Sequence, residues 1–292
     1  MQTRSTKTFE IIEAAQEFLD PDRPMTLRHL YYLLVSRHVL ENTKADYQRL
    51  SRVIGEARRR GEVSYYSLVD SVRSTIKPSS WSGLQDFAET VSQAYRKDLW
   101  TQQEDYIEIF CEKDAISGVI NAITDDYDVR VRPVRGYPSI TFLHHAAQQL
   151  NGITKPIWIY YLGDHDPSGR DIERACRDGL EEMQAQISSR RFDYIWTRLA
   201  INPEDFQSFD IVPLVAKHRD TRYKKFVREY GTDAAELDSL PPDELRRRVE
   251  SAILAHVDME AWKKLQEIEQ QERTSFQAVI AQFGAGAKPN LD

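Results

Sequence analysis

The run Ile157-Trp158-Ile159-Tyr160-Tyr161-Leu162 constrains the fold more than any other part of the chain. It has the length of a strand, and near-continuous rather than alternating hydrophobicity marks a strand covered on both faces. It falls far short of the roughly 18 apolar residues a membrane-spanning helix needs, so insertion into a membrane is not expected. Tyr106 to Cys111 reads as another strand, and Val129 and Val131 alternate with Arg130 and Arg132 as one more. Helical patterns fall between them: Ala115 to Ile123, Ser139 to Leu150 after Gly136 and Pro138, and Ser168 to about Ile187. Strands alternating with helices predict an α/β fold with a parallel, doubly covered sheet. From about residue 203 the pattern is mainly helical, broken at Pro241-Pro242.

The N-terminal part follows another pattern. Phe9, Ile12, Ala15 and Leu19 form a helical stripe that ends before Pro21 and Pro24. Thr26 suits the N-cap of a second helix, whose core stripe is Leu27, Leu30, Tyr31 and Leu34. A polar break, Glu41 to Lys44, precedes a third helix with Tyr47, Leu50, Ile54 and Ala57 on its inner face. The β-favouring Val63-Ser64-Tyr65-Tyr66 then predicts a hairpin or wing, and three helices followed by a wing describe a winged helix-turn-helix. At 292 residues the chain nears the limit of one core, so two domains are expected. The boundaries fall at 1–75 for the winged-helix domain, 76–103 for a connector, and 104–292 for the sheet domain with a helical C-terminal extension.

Charge separates these parts. The chain carries a net −7, yet residues 44–60 hold six basic residues against two acidic ones. Arg49, Arg52, Arg59 and Arg60 lie largely outside the core stripe of the third helix. Phosphate contacts depend on a local patch, so the stripe suits DNA binding; it suits a solvated helix face equally well. The two cysteines, Cys111 and Cys176, give no disulfide scaffold, and the first twenty residues show no signal-peptide core. A cytoplasmic, nucleoid-associated location is expected.

In an open parallel sheet, ligands bind beyond the carboxyl ends of the strands. Two predicted strands end in acids here: Glu112 follows one, and Asp164 and Asp166 follow another. Asp164-His165-Asp166 has period two, which turns both carboxylates the same way in extended chain. Clustered carboxylates suit Mg²⁺ or Mn²⁺. Acids at strand ends also cap the next helix, for which Asp114 and Ser168 are candidates. His165 points oppositely and reads as structural; His144 and His145 lack metal spacing.

Glu112-Lys113-Asp114-Ala115, Gly136-Tyr137-Pro138-Ser139 and Gly163-Asp164-His165-Asp166-Pro167-Ser168-Gly169 together resemble a Toprim domain, a Rossmann-like parallel-sheet module. The likeness is closest to the topoisomerase VI A subunit and its relative, the meiotic double-strand-break transesterase, as a short bacterial- or phage-type member. It continues through Asp220-Thr221-Arg222-Tyr223-Lys224-Lys225-Phe226 and Glu236-Leu237-Asp238-Ser239-Leu240-Pro241-Pro242. Upstream, Thr26-Leu27-Arg28-His29-Leu30-Tyr31-Tyr32 resembles the family's nucleophile motif on its winged-helix domain.

The resemblance implies Mg²⁺-dependent cleavage of double-stranded DNA by transesterification, leaving a 5′-phosphotyrosine link. Four residues after the motif's arginine stands Tyr32, and Arg28 and Tyr32 share a helix face turned away from the core stripe that holds Tyr31. Arg28 then holds the phosphate that Tyr32 attacks. Glu112 and Asp164 are implied as metal ligands, with Asp166 binding a second ion or supporting the first. A homodimer is implied, each tyrosine working with its partner's metal site. The chain is short for such a subunit, nearly lacks its N-terminal docking extension and carries no ATPase motif, so strand passage is expected to need a separate B-type ATPase subunit. Two alternatives remain: a stand-alone Toprim nuclease using activated water with Tyr32 idle, and a non-catalytic DNA-binding protein. Two tyrosines filling a small core are the bland alternative for the motif itself.

Overall fold

The computed structural model describes residues 6–68, 79–187, 192–215 and 220–286. The chain divides into two compact units, one of Met1–Arg73 with Tyr106–Ala255 and one of Ser74–Asp105 with His256–Asp292.

The first unit opens with three helices, α1 (Thr6–Gln16), α2 (Leu27–Ser36) and α3 (Lys44–Arg59). Thr26 caps α2 by accepting the His29 N–H, and Thr43 caps α3 by accepting from Asp46, so each helix starts where a hydroxyl satisfies an orphan donor. Ile11, Ala15, Leu30, Leu34, Leu50, Ile54 and Ala57 form their shared core. Phe9 stays 59% exposed, because Ile11 takes the inner position the periodicity assigns to it. No hairpin forms at Val63–Tyr66. Tyr65–Ser67 is a 3-10 turn held by the Ser64 hydroxyl, and Leu68 bridges Met25; the rest of the expected wing lies outside the described residues.

After α4 (Leu84–Ala94) of the second unit, the first unit resumes with β1 (Tyr106–Cys111), α5 (Asp114–Asp126), β2 (Arg130–Pro133), α6 (Ile140–Asn151), β3 (Ile157–Leu162), α7 (Pro167–Ile187) and β4 (Tyr194–Ala200). The four strands make one parallel sheet in the order β2-β1-β3-β4. This is the α/β fold the alternation predicts. Phe110, Ile159 and Tyr161 pack with Leu143, Ala146 and Leu150 of α6 and Ile172, Cys176 and Leu180 of α7. The alternate residues Ile107, Ile109 and Leu162 are also buried, and α5 and α10 (Pro242–Leu254) pack together against the strands. The periodicity does not announce β4. It is an edge strand of half-buried residues interrupted by Arg198, and so lacks the apolar run of a central strand.

Between β4 and α10 run the short α8 (Asp205–Ser208), β5 (Leu214–Val215), α9 (Tyr223–Tyr230) and β6 (Asp233–Ala234), with β5 and β6 antiparallel. Pro242 opens α10, consistent with the break expected there.

The second unit pairs α4 with α11 (Met259–Gly286). Trp100 and Trp262 are both buried and meet edge to face with ring centroids 5.8 Å apart. Lys97 and the Tyr95 hydroxyl hold Glu272 at 2.8 and 2.5 Å, and His256 meets Asp105 at 2.7 Å. The segment expected as a connector is thus half of a packed unit, and the other half is the helix expected to extend the sheet domain. Among the described residues no helix is long and apolar enough to cross a membrane.

Candidate active site

Register builds the site. Cys111 pairs with Leu162, so β1 and β3 end side by side, and the Glu112 N–H donates to Leu162 O at 2.8 Å. The Glu112 side chain folds over Gly163 and its Oε2 accepts the Asp164 N–H at 2.9 Å. Two glycines permit this. A Cβ on Gly163 would stand 2.4 Å from the Tyr161 ring and 2.9 Å from Glu112 Oε2, and one on Gly169 would stand 2.4 Å from the Asp164 carbonyl. Arg198, nearly buried on β4, fastens the turn by donating to the carbonyls of Gly163, Asp164 and Ile201.

A second strand-like contact brings in the segment after β6. His165 and Ala235 exchange backbone hydrogen bonds at 2.8 and 2.9 Å, which draws Glu236, Leu237 and Asp238 beside Asp164. The Leu237 N–H donates to Asp164 Oδ1 at 2.6 Å. Lys113 Nζ lies among three carboxylates, 2.9 Å from Asp164, 2.8 Å from Asp238 and 3.4 Å from Glu236. Burial opposes its charge, but Asp238, Asp164 and Glu236 outweigh burial and hold the ammonium well above its ordinary pKa. Burial likewise opposes the Asp238 carboxylate, and Lys113, His29 and Thr26 still hold it down at about 2.

Helix α2 docks onto this segment by its N-terminus. The Thr26 hydroxyl donates to Asp238 Oδ1 at 2.8 Å, placing a carboxylate where the helix dipole favours one. Arg28 donates to Glu236 and lies over the Tyr47 ring at 5.1 Å. Tyr31 is buried with its hydroxyl donating to Thr43 O at 3.0 Å, as its place in the core stripe predicts. Tyr32 is half-buried against Tyr31, their rings edge to face at 5.2 Å. Its phenol is pushed up first by burial and then by Glu236, against the pull of Arg28 and Lys113.

The structure therefore brings Arg28 and Tyr32 together with Lys113, Asp164, Glu236 and Asp238 of the same chain. The resemblance pairs each tyrosine with the partner's metal site; here the helix bearing Tyr32 is hydrogen-bonded to Glu236, and its cap Thr26 to Asp238, within its own chain. Asp166 stands close enough to push the Glu112 carboxyl further up, after burial and Asp164. Asp166 Oδ1 accepts the Gly169 N–H at 2.7 Å and caps α7, the role expected of Ser168. Asp114 opens α5 and pairs with Arg135 at 3.1 Å. His165 is buried, accepts from Arg170 at 3.2 Å and is pushed down to about 3 by burial, Arg170 and Arg198. On α3, Arg49 donates to Asp46 and Arg60 lies 3.6 Å from Glu56, whereas Arg52 and Arg59 are exposed with no ion-pair partner among the described residues.

For a divalent cation, Glu112 and Asp164 are the fitting pair. Burial and then Asp164 push the Glu112 carboxyl up, and burial pushes Asp164 up against Lys113; added positive charge would relieve this crowding. The Tyr161 hydroxyl, buried and unpartnered, lies at the same Gly163 cradle. Among the described residues no three acid, histidine or cysteine side chains converge on one point. Sequence reasoning alone misses the roles of His29, Lys113, Arg198, Glu236 and Asp238, and the bond from the capping Thr26 to Asp238. The one available signal was the acid pair Glu236 and Asp238, again with period two, just before Pro241-Pro242. No family model matches the chain, and no curated protein does either.

Proposed function

We propose that the chain cleaves double-stranded DNA by transesterification, Tyr32 attacking a backbone phosphate beside the acids at the sheet's carboxyl end. In this reading the first unit is a winged-helix module joined to a Toprim module. One observation carries it: α2 presents Arg28 and Tyr32 to a segment, Glu236 to Asp238, that is itself hydrogen-bonded to Lys113 and Asp164. A phosphodiester entering there meets two cations, Arg28 and Lys113, and a hydroxyl nucleophile. Glu236 yields Arg28 to the phosphate, because a carboxylate and a phosphate compete for the same planar guanidinium fork. Glu112 and Asp164 would hold Mg²⁺, which would supply further positive charge to the phosphate. Arg52 and Arg59 supply phosphate contacts for the flanking duplex.

A second reading has an observation in its favour. Tyr32 is half-buried with its pKa raised, and Arg28 is already paired with Glu236, an arrangement that also suits a hydrolase in which water replaces the tyrosine.

Denaturing gels of end-labelled duplex incubated with the chain and Mg²⁺ separate the two. A protein–DNA adduct that is lost in Tyr32→Phe and kept in Tyr31→Phe supports transesterification. Cleaved ends without adduct, undiminished in Tyr32→Phe, overturn it for the hydrolase.

A further inference from the structure

His29 is fully buried on α2, and one of its ring nitrogens has no partner. Its hydrogen bonds fix which. The Thr26 hydroxyl has one proton and donates it to Asp238 Oδ1 at 2.8 Å. The 3.0 Å contact between Thr26 Oγ1 and His29 Nδ1 must then run from the ring, with Nδ1–H donating. Thr26 Oγ1 also accepts the His29 backbone N–H at 3.0 Å. The ring is therefore the Nδ1–H tautomer, and Nε2 is a bare acceptor inside the protein. A buried polar atom without a partner is unfavourable and calls for an explanation.

Its surroundings supply one. His29 and Tyr32 are one turn apart on the same side of α2, and both line a cavity of about 40 Å³ closed by Phe209, Ile211 and Leu240. A cavity of that size admits a single bridging water. The groups that bear on the ring are Asp238, which favours its charge, and Lys113 and Arg246, which oppose it. Burial outweighs them all and holds the ring neutral, down to about 4. The neighbouring acceptors are otherwise engaged: Asp238 accepts Thr26 on one oxygen and Lys113 on the other, and Asp210, also at the cavity, is exposed to solvent.

We propose that His29 Nε2 accepts the Tyr32 phenol proton as the tyrosine attacks, an inference that rests on the reading of Tyr32 as nucleophile. The phenol oxygen forms the bond to phosphorus with one of its lone pairs, and its proton passes to Nε2 through one water, since the two groups make no hydrogen bond to each other without substrate. The bond from phosphorus to deoxyribose O3′ breaks, and O3′ leaves with the electron pair and takes a proton from solvent. Positive charge then developing on the imidazole is answered by Asp238 through Nδ1–H and the Thr26 hydroxyl, the arrangement of a base with an orienting group behind it. In religation the proton returns from Nε2 to the tyrosine oxygen.

The test places tyrosine or 3,5-difluorotyrosine, whose phenol is more acidic, at position 32 and compares intact His29 with His29→Gln. Loss of a general base costs at least about 10²-fold in the rate of covalent adduct formation. That loss in His29→Gln, largely recovered with difluorotyrosine, is the expected result; Asp210→Asn should form adduct at the unsubstituted rate. An equal loss with both tyrosines, or none, overturns the proposal. A His29→Gln chain that does not fold is replaced by a measurement on the unsubstituted one, where a solvent deuterium isotope effect on adduct formation is expected and its absence overturns the proposal. The ¹⁹F resonance of 3-fluorotyrosine at position 32, read without DNA, should shift in His29→Asn, and an unmoved resonance counts against the acceptor. Cleavage that survives Tyr32→Phe defeats the nucleophile reading itself, a failure distinct from all of these.

Discussion

Glu108 and Glu112 stand four residues apart, one within β1 and one at its end, and both are buried. Glu108 is fully compensated. Arg132 grips both its oxygens, Arg130 donates at 3.1 Å and the Tyr106 hydroxyl at 2.5 Å. Glu112 receives a backbone N–H and no cationic hydrogen bond among the described residues. Burial of the same side chain thus serves two ends. Inside the sheet a carboxylate is matched so that it fixes the packing of β2 and α6. At the carboxyl end it is left under-matched, which is unfavourable unless the site exists to hold something else.

The largest effect that can break this comparison is on stability. Glu108→Gln removes the charge that two arginines share in a dry place and should lower the unfolding free energy by about 3 kcal/mol, the range for breaking a buried pair. Glu112→Gln removes a charge held by one backbone N–H and no hydrogen-bonded cation, and should leave stability within about 1 kcal/mol of the unsubstituted chain, or raise it, while abolishing cleavage. Urea unfolding measures both. If Glu112→Gln costs as much as Glu108→Gln, the carboxyl end is structural after all.

Next come the glycines that let Glu112 lie where it does. Gly169→Ala drives a methyl to 2.4 Å from the Asp164 carbonyl, and backbone in a helix N-terminus has little room to give. A loss of about 2–3 kcal/mol is expected. Gly163→Ala meets the Tyr161 ring edge, which has some freedom, so a smaller loss of about 1–2 kcal/mol should accompany displacement of Glu112 and loss of cleavage. Wild-type stability with full cleavage in Gly163→Ala would show that close approach at this turn is incidental.

Titration sharpens the contrast, because the two kinds of acid shift oppositely. Glu112, raised by burial and Asp164, binds protons more tightly folded than unfolded, so its contribution is fullest below the ordinary glutamate range and is lost as the pH rises through the folded value. Asp238, lowered from 3.8 to about 2 despite burial, because Lys113, His29 and Thr26 hold its charge, contributes above the unfolded value and is lost as the pH falls through about 2. That shift is worth roughly 2 kcal/mol at neutral pH. In denaturation profiles Glu112→Gln should remove a decline toward neutral pH, and Asp238→Asn should remove a loss at acid pH. Exchanged behaviour would reverse the assignment of matched and unmatched acids.

The sheet was legible because β1 and β3 are apolar on both faces, and the strand-end acids were legible because each ends such a run. Thr26 could be read as a cap from its place before an apolar stripe. What could not be read is which acids meet. Two of the three partners of Lys113, Glu236 and Asp238, lie more than a hundred residues away in sequence and reach it through a bridge between His165 and Ala235, two residues whose types carry no pairing signal. Asp166 also caps α7, which Pro167 opens at once, a use that the period-two spacing does not announce. No hairpin forms at Val63–Tyr66 because a serine hydroxyl favours a turn at Tyr65 and Tyr66 over the strand their side chains prefer.

The same distinction between matched and unmatched charge extends to the arginines of α3, where the effects are smallest. Arg49 and Arg60 share their helix with Asp46 and Glu56, and each already has its counter-charge. Arg52 and Arg59 are seven residues apart, two turns along one face, and have none among the described residues. A phosphate that replaces a carboxylate partner gains little, whereas one that meets a free guanidinium releases a counterion for each contact. Arg52→Gln with Arg59→Gln should therefore flatten the dependence of log binding constant on log salt by about 1.8, near 0.9 for each lost contact. Arg49→Gln with Arg60→Gln should change it by less than half as much. Binding isotherms of a short duplex across a series of salt concentrations read both slopes on the same axis. Equal slopes for the two double variants would mean that counter-charge on the helix does not decide which arginines face DNA, and unchanged slopes in both would return the whole stripe to solvent.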